Sequence, residues 1–191
     1  MHELAYENLL GLKNNPYPGR GIVVGLDETG KYLVQAYWIM GRSENSRNRV
    51  FRYDHSTGRL FTEAADPSRV KDPSLIIYDA MLEMDGKFAV SNGKQTGDIL
   101  DAYLSGKNFI HAMNENQYEP DAPNYTPRIS AVCFTSIGRY VAEMAILRKS
   151  PWSDACDRSV YCFEKLEEGL GYCITTYSGD GNPLPAFQGE P

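Results

Sequence analysis

A chain of 191 residues carrying 19 basic and 25 acidic side chains, formal net charge −6, is long enough to bury one sizeable core, and its overall field repels nucleic acid and anionic membrane. No apolar run approaches the roughly 20 residues needed to span a bilayer, and the amino-terminal stretch Met1-His2-Glu3-Leu4-Ala5-Tyr6-Glu7 lacks the basic-then-apolar order of a leader, so the chain reads as cytoplasmic with reduced thiols. Cys133, Cys156, Cys162 and Cys173 make no CxxC pair, and His2, His55 and His111 lie far apart, so no metal site is expected.

Along the chain, turn chemistry alternates with short apolar runs. Residues 21–26 form the first run, Asp27-Glu28-Thr29-Gly30 is a turn, and residues 31–40 return as a second strand rich in β-branched and aromatic side chains. A second hairpin joins 50–53 to 59–62 around His55-Ser56-Thr57-Gly58, and a third joins 75–84 to 87–91 around Asp85-Gly86. Tyr78 falls in the third pair, in a strand apolar on both faces, so its ring is expected to be buried.

Residues 96–106 place Ile99, Leu100, Tyr103 and Leu104 at helical spacing, with Thr96 as cap and Gly106 as stop, and 108–116 make a second helical piece. Strands resume at 129–135 and 140–147 around Ser136-Ile137-Gly138-Arg139, then at 159–166 and 171–177, and the Gly- and Pro-rich residues 178–191 read as loop or frayed end. Nine strands with helices in the middle predict an α+β fold of two stacked, mainly antiparallel sheets with helices outside one of them, a pure β sandwich being the alternative. Thirteen tyrosines suit such β-rich layers and half-buried clefts.

Several segments carry anion-binding chemistry. Gly41-Arg42-Ser43-Glu44-Asn45-Ser46-Arg47-Asn48-Arg49 sets three arginines among short hydrogen-bonding side chains after a strand, and a guanidinium fork suits a phosphate or carboxylate. A solvated surface loop has the same composition. Arg20 lies between glycines in Tyr17-Pro18-Gly19-Arg20-Gly21, Ser91-Asn92-Gly93-Lys94-Gln95-Thr96 joins a strand end to a helix start where phosphate could sit, and Thr126-Pro127-Arg128-Ile129 opens a strand with another arginine.

In this order and spacing, Tyr17-Pro18-Gly19-Arg20, Arg42-Ser43 through Asn48-Arg49, Pro73 through Tyr78, Val90-Ser91-Asn92-Gly93 with Thr96, and Thr126-Pro127-Arg128-Ile129 resemble the archaeal-type IMP cyclohydrolase family. The match covers residues 17–130 and continues loosely to Tyr177 in Ile174-Thr175-Thr176-Tyr177. The resemblance implies one domain over 1–191, with 1–16 as an extension and 178–191 as a loop or truncated tail, in the four-layer αββα architecture of N-terminal-nucleophile hydrolases. It implies closure of formylated aminoimidazole-carboxamide ribonucleotide to IMP and water, the last step of de novo purine biosynthesis, with no cofactor, a purine ribonucleotide as the small-molecule partner and self-association into a homo-oligomer.

By the same resemblance Arg49 and Tyr78 stand at the reacting end with Glu119 as proton acceptor, and Arg20, Ser43, Asn48, Asn92, Gly93, Thr126 and Arg128 form the nucleotide shell. Met1-His2 exposes no Ser, Thr or Cys nucleophile, which disfavours amidohydrolysis by a terminal nucleophile. A non-catalytic nucleotide-binding or regulatory module on the same fold, or a different cyclohydrolase or amidohydrolase, would use the same arginines.

Overall fold

The computed structural model describes residues 2–70, 72–135 and 141–191. Its first element is α1 (His2–Asn14), a helix unanticipated by the strand-dominated pattern. Leu, Ala, Glu and Lys are good helix formers, Glu3 and Lys13 complement the helix dipole at the two ends, and Pro16 lies just beyond the stop. None of its residues is buried.

The first hairpin, β1 (Gly21–Leu26) with β2 (Leu33–Trp38), is held by Asp27, whose carboxylate accepts the amides of Thr29, Lys31 and Tyr32. That Asx-type closure draws Lys31 and Tyr32 into the turn, so the second strand starts later than residue 31. A short helix α2 (Glu44–Arg47) then leads into β3 (Val50–Asp54) and β4 (Arg59–Glu63). Asp54 closes their turn by accepting from the Ser56 amide and the Ser56 and Thr57 hydroxyls, bonds led by the Ser56 hydroxyl that hold its pKa down to about 2.

The third hairpin departs from expectation. Residues 75–78 are not strand, because Asp72 caps a 3-10 turn (Pro73–Leu75) and the amides of Ile76 and Ile77 both turn back to the Pro73 carbonyl. The strand β5 begins only at Asp79 (Asp79–Met84), and Ile77 is exposed. Tyr78 enters the sheet edgewise. Its amide donates to the Thr62 hydroxyl, its carbonyl accepts the Thr62 amide, and the β4–β5 register shifts between Leu60 and Phe61. Such an irregularity re-aims a side chain, and here it buries Tyr78 to 7% exposure.

The remaining elements are β6 (Lys87–Ser91), α3 (Gln95–Leu104), α4 (Phe109–Asn114), β7 (Arg128–Phe134), β8 (Ala142–Lys149), β9 (Cys156–Phe163) and β10 (Gly171–Thr175). The turn expected at 136–139 lies outside the described residues. Gly106 ends the first helical segment in the left-handed region at φ 71°. Thr96 does not cap α3: the cap position is Lys94, and the Thr96 hydroxyl lies inside the first turn against the Gly93 carbonyl and the Ser91 hydroxyl. At α4 the Asn108 side chain accepts the His111 amide as an N-cap.

All pairings are antiparallel and build two sheets, β10-β1-β2 and β3-β4-β5-β6-β7-β8-β9. Alternation along β7 sends Ile129, Ala131 and Cys133 toward the small sheet, where they meet Ile22, Val24 and Ile174 together with Met144 and Ile146. Val132 points the other way, joining Ala89, Ala145 and Leu147 beneath Ile99, Leu100, Phe109 and Met113 of α3 and α4. The described residues therefore make three layers, helices on the large sheet and the small sheet on its opposite face. The second outer helical layer of an αββα stack has no counterpart among them, since Val34 and Ala36 on β2 stay exposed and α1 buries nothing.

Residues 178–191 are irregular but not frayed. Tyr177 bridges Ala186, the Phe187 amide donates to the Thr176 carbonyl at 3.0 Å, Leu184 is buried, and Phe187 packs on the core between the sheets. Among the described residues no helix is long and apolar enough to cross a membrane.

Ile22 is fully enclosed between the sheets, so Ile22→Ala should remove about 2–5 kcal/mol of folding stability. Urea unfolding followed by circular dichroism measures this as a lowered midpoint with an unchanged slope.

Candidate functional site

The site sits at one end of the two sheets, where strand ends converge. Pairing of Gly21 with both Trp38 and Thr175 puts the start of β1 beside the ends of β2 and β10, and pairing of Ser91 with Ser130 puts the end of β6 beside the start of β7. Arg20 precedes β1, Tyr37 is near the end of β2, Arg49 precedes β3, Tyr78 precedes β5, Arg128 opens β7, Tyr177 follows β10, and Glu119 lies in the loop between α4 and β7.

Arg20 is clamped through its backbone. Its amide donates to the Thr176 hydroxyl at 3.1 Å and its carbonyl accepts the Thr176 amide at 2.9 Å. The preceding residue must be glycine: φ is 73° at Gly19, and a Cβ there would fall 2.1 Å from the Thr176 hydroxyl oxygen. The Arg20 side chain is then carried inward to Glu119, with 3.7 Å between its Nη2 and the Glu119 Oε2, and its Nε finds no partner. Burial works against the Arg20 charge, but Glu119, followed by the Tyr78, Tyr37 and Tyr177 hydroxyls, more than offsets it and raises the pKa. Arg20 stays cationic.

Of the three arginines in residues 41–49, only Arg49 turns into this cluster. Arg42 lies over the Tyr17 ring and donates to Asp180 and to the Gly181 carbonyl, and Arg47 donates to the Gly41 carbonyl at the surface. Arg49 uses its Nε on the Ser46 carbonyl at 2.9 Å, which fixes the plane of the guanidinium. Both its terminal nitrogens are buried and make no hydrogen bond. Burial, and next the like charge of Arg20, lower its pKa, and the Tyr78, Tyr37 and Glu119 side chains are near enough to oppose that shift.

Opposite the arginines lies a pair of phenols. The Tyr37 and Tyr78 hydroxyl oxygens are 2.7 Å apart, and the Tyr37 ring meets the edge of Phe51 at 5.8 Å between centroids. Burial, then the neighbouring Tyr78, pushes the Tyr37 hydroxyl well above its ordinary range. Glu119, 3% exposed, has its carboxyl pushed up by burial, with Arg20 and Arg128 acting against the shift. Three guanidinium groups, of Arg20, Arg128 and Arg49, thus act on the single buried carboxylate of Glu119, a balance that favours an added anion.

The other expected shell residues have their polar atoms engaged by the protein itself. The Asn92 side chain accepts from Ile129 N and Gln95 Nε2 and donates to the Pro127 carbonyl, and Gln95 Oε1 accepts from Arg128 Nη1 at 2.8 Å, so a buried chain of amides positions Arg128. Gly93 makes room for it, because a Cβ there would lie 2.0 Å from Arg128 Nη1. Thr126 donates its hydroxyl to Asp121 and therefore accepts from Tyr177, whose own hydroxyl is raised by burial to about 12. Asn48 exchanges two hydrogen bonds with the Asp66 backbone, at 2.8 and 2.7 Å. Ser43 caps α2 at the surface and faces, with Glu44, Asn45 and Arg69, an open depression of about 440 Å³.

The structure thus brings Arg20, Arg49, Tyr78, Glu119 and Arg128 together and gives Asn48, Asn92, Gly93 and Thr126 supporting positions, with Ser43 outward. Sequence reasoning missed Tyr37, Gln95, Asp121 and Tyr177 as members. Tyr177 ended a segment already singled out, whereas Tyr37 had only its place in a strand to mark it. Among the described residues, no group of three His, Cys, Asp or Glu side chains is placed to hold a metal ion.

No curated protein matches the chain. A family model described as IMP cyclohydrolase-like protein matches residues 17–190, from the residue stacked on Tyr177 through the tail that closes over the core, and omits α1. With the match spanning nearly the whole chain and every residue of the site, this chain belongs to the IMP cyclohydrolase-like protein family.

Proposed function

We propose that this protein closes the purine ring of formylated aminoimidazole-carboxamide ribonucleotide, releasing IMP and water, as the last step of de novo purine synthesis. The observation that carries this reading is Arg49, a guanidinium fixed by its Nε whose two forked nitrogens are buried and unpartnered beside Arg20 and the phenols. A buried donor pair without acceptors is a standing cost, relieved when an oxyanion arrives between the two nitrogens. Membership of the family supplies the reaction class, and the net positive balance of the cleft suits a nucleotide monophosphate.

In the reaction, the carboxamide nitrogen attacks the formyl carbon tethered to the same ring, so holding the two groups in contact lowers much of the barrier. Negative charge grows on the former formyl oxygen, which Arg49 and the Tyr78 hydroxyl are placed to receive. Glu119 accepts the amide proton. Its burial raises its pKa above the ordinary glutamate value, which strengthens it as a base. Glu119 hands that proton to the oxyanion, and when the tetrahedral carbon collapses Tyr78 protonates the resulting hydroxyl, which leaves as water while Glu119 takes the proton that the former formamide nitrogen loses as the ring C=N bond forms. Arg20 and Arg128 are left for the remaining anionic groups of the nucleotide.

Purified protein given the formylated ribonucleotide should form IMP without added metal. Binding of IMP with no turnover would instead identify a nucleotide-binding module and overturn the proposal. Tyr78→Phe should hold IMP with affinity near that of the wild type and lose on the order of 10²-fold in kcat. Arg49→Lys should lose a comparable factor, because an ammonium cannot present two parallel donors.

The pH profile carries a separate expectation. Turnover should fall as acid protonates Glu119, with the limb centred above 4.5, the ordinary value for a glutamate. In Glu119→Gln that limb should be absent along with most of the activity, and its persistence would remove Glu119 from the mechanism. Gly93→Ala, which forces Arg128 to move, should raise KM more than it lowers kcat.

A further inference from the structure

Tyr37 belongs to the small sheet and Tyr78 immediately precedes β5 of the large one, yet their hydroxyls meet at 2.7 Å. By geometry either oxygen could donate. The surroundings choose between them. Among the described residues the Tyr37 hydroxyl has no hydrogen-bond partner except Tyr78, and its ring is walled by Phe51 and the core between the sheets. The Tyr78 hydroxyl likewise has only Tyr37 as partner, but Arg20 and Arg49 both feel Tyr78 more strongly than Tyr37. Cations beside it make the Tyr78 oxygen the better acceptor, so Tyr37 donates and the Tyr78 proton is left for an acceptor that arrives beside Arg49.

Resting on the cyclohydrolase reading, we infer that Tyr37 is a positioning residue of the reaction, its hydroxyl donating to the Tyr78 oxygen so that the Tyr78 proton is aimed at the reacting oxygen of the substrate. Tyr37 does not touch substrate. It sets the hydroxyl rotor of Tyr78 and, after Tyr78 has given up its proton, stabilises the resulting phenolate through the same hydrogen bond, as do Arg20 and Arg49. When product leaves, the Tyr78 oxygen recovers a proton from water and Glu119 releases one to it, so both groups are restored. The elevated pKa of the Tyr37 hydroxyl keeps it a donor throughout the neutral range.

The test is a double-mutant cycle on turnover. Tyr37→Phe keeps the ring and its contact with Phe51, so it should melt like the wild type while kcat falls roughly tenfold and KM changes by less than about twofold. Since Tyr37 acts only through Tyr78, Tyr37→Phe should cost nothing further in a Tyr78→Phe background. Full turnover in Tyr37→Phe, or losses that multiply in the double variant, would overturn the inference. A wild-type protein without turnover would retire the cyclohydrolase reading, and with it Tyr37's role in the reaction. The phenol pair itself is then read from tyrosines labelled at the ring carbon bearing oxygen. With the Tyr37 resonance assigned as the one absent from Tyr37→Phe, it should move in Tyr78→Phe at neutral pH, and a stationary resonance would dismiss the pair.

Discussion

The contact between Arg20 and Glu119 is the constraint on which the cleft depends. Arg20 is bound through its backbone to the small sheet, and Glu119 is carried by the loop whose amide at Glu119 donates to the Thr126 carbonyl just before β7 of the large sheet. A cation and an anion, each nearly inaccessible to water, are thereby held at 3.7 Å across the seam. That spacing is too long for a tight ion pair. Their attraction offsets part of the desolvation cost and leaves both groups with capacity for another partner. Buried ion pairs of this sort are weak sources of stability.

Around that pair, like charge is gathered instead of dispersed. Arg49 lies close enough to Arg20 to feel its like charge, a juxtaposition that burial makes more costly. The Tyr37 and Tyr78 phenols lie nearby, giving oxygen atoms that ease the cations without neutralising them. Under the proposed reaction, an anionic substrate whose oxygen becomes more negative would complete this set, with little reorganisation as charge develops.

Supporting residues explain how loops can hold such geometry. Asn92 and Gln95 form a buried amide chain ending on Arg128, Asp121 gathers the Thr126 amide and hydroxyl, and Asn48 ties the segment before Arg49 to the backbone at Asp66. Each satisfies its own polar atoms while fixing a neighbour in the cluster. The tail has a similar part, since Tyr177 reaches Thr126 and stacks on Tyr17 while Phe187 seals the core below.

Antiparallel hairpins, the two-sheet core and the position of α3 were legible in the chain because their causes are local. Asp27 and Asp54 close their turns within five residues, Asp85-Gly86 takes the left-handed turn its residue types favour, and alternation along β7 sorts its side chains to two faces. The supply of guanidinium groups at strand ends was legible too. Which arginine would serve was not: Arg42, Arg47 and Arg49 look alike in sequence, and the Nε bond to Ser46 and the lie of the two sheets turn only Arg49 inward. Tyr78 looked like a strand residue until the Pro73 turn and the shifted register placed it at the sheet's threshold. Sequence by itself determined the strands and the supply of charged and phenolic groups, through interactions spanning a few residues. Only the tertiary structure decided that Tyr37 and Tyr78, 41 residues apart, would share a proton beside Arg20 and Arg49, because that meeting depends on how one sheet stacks on the other.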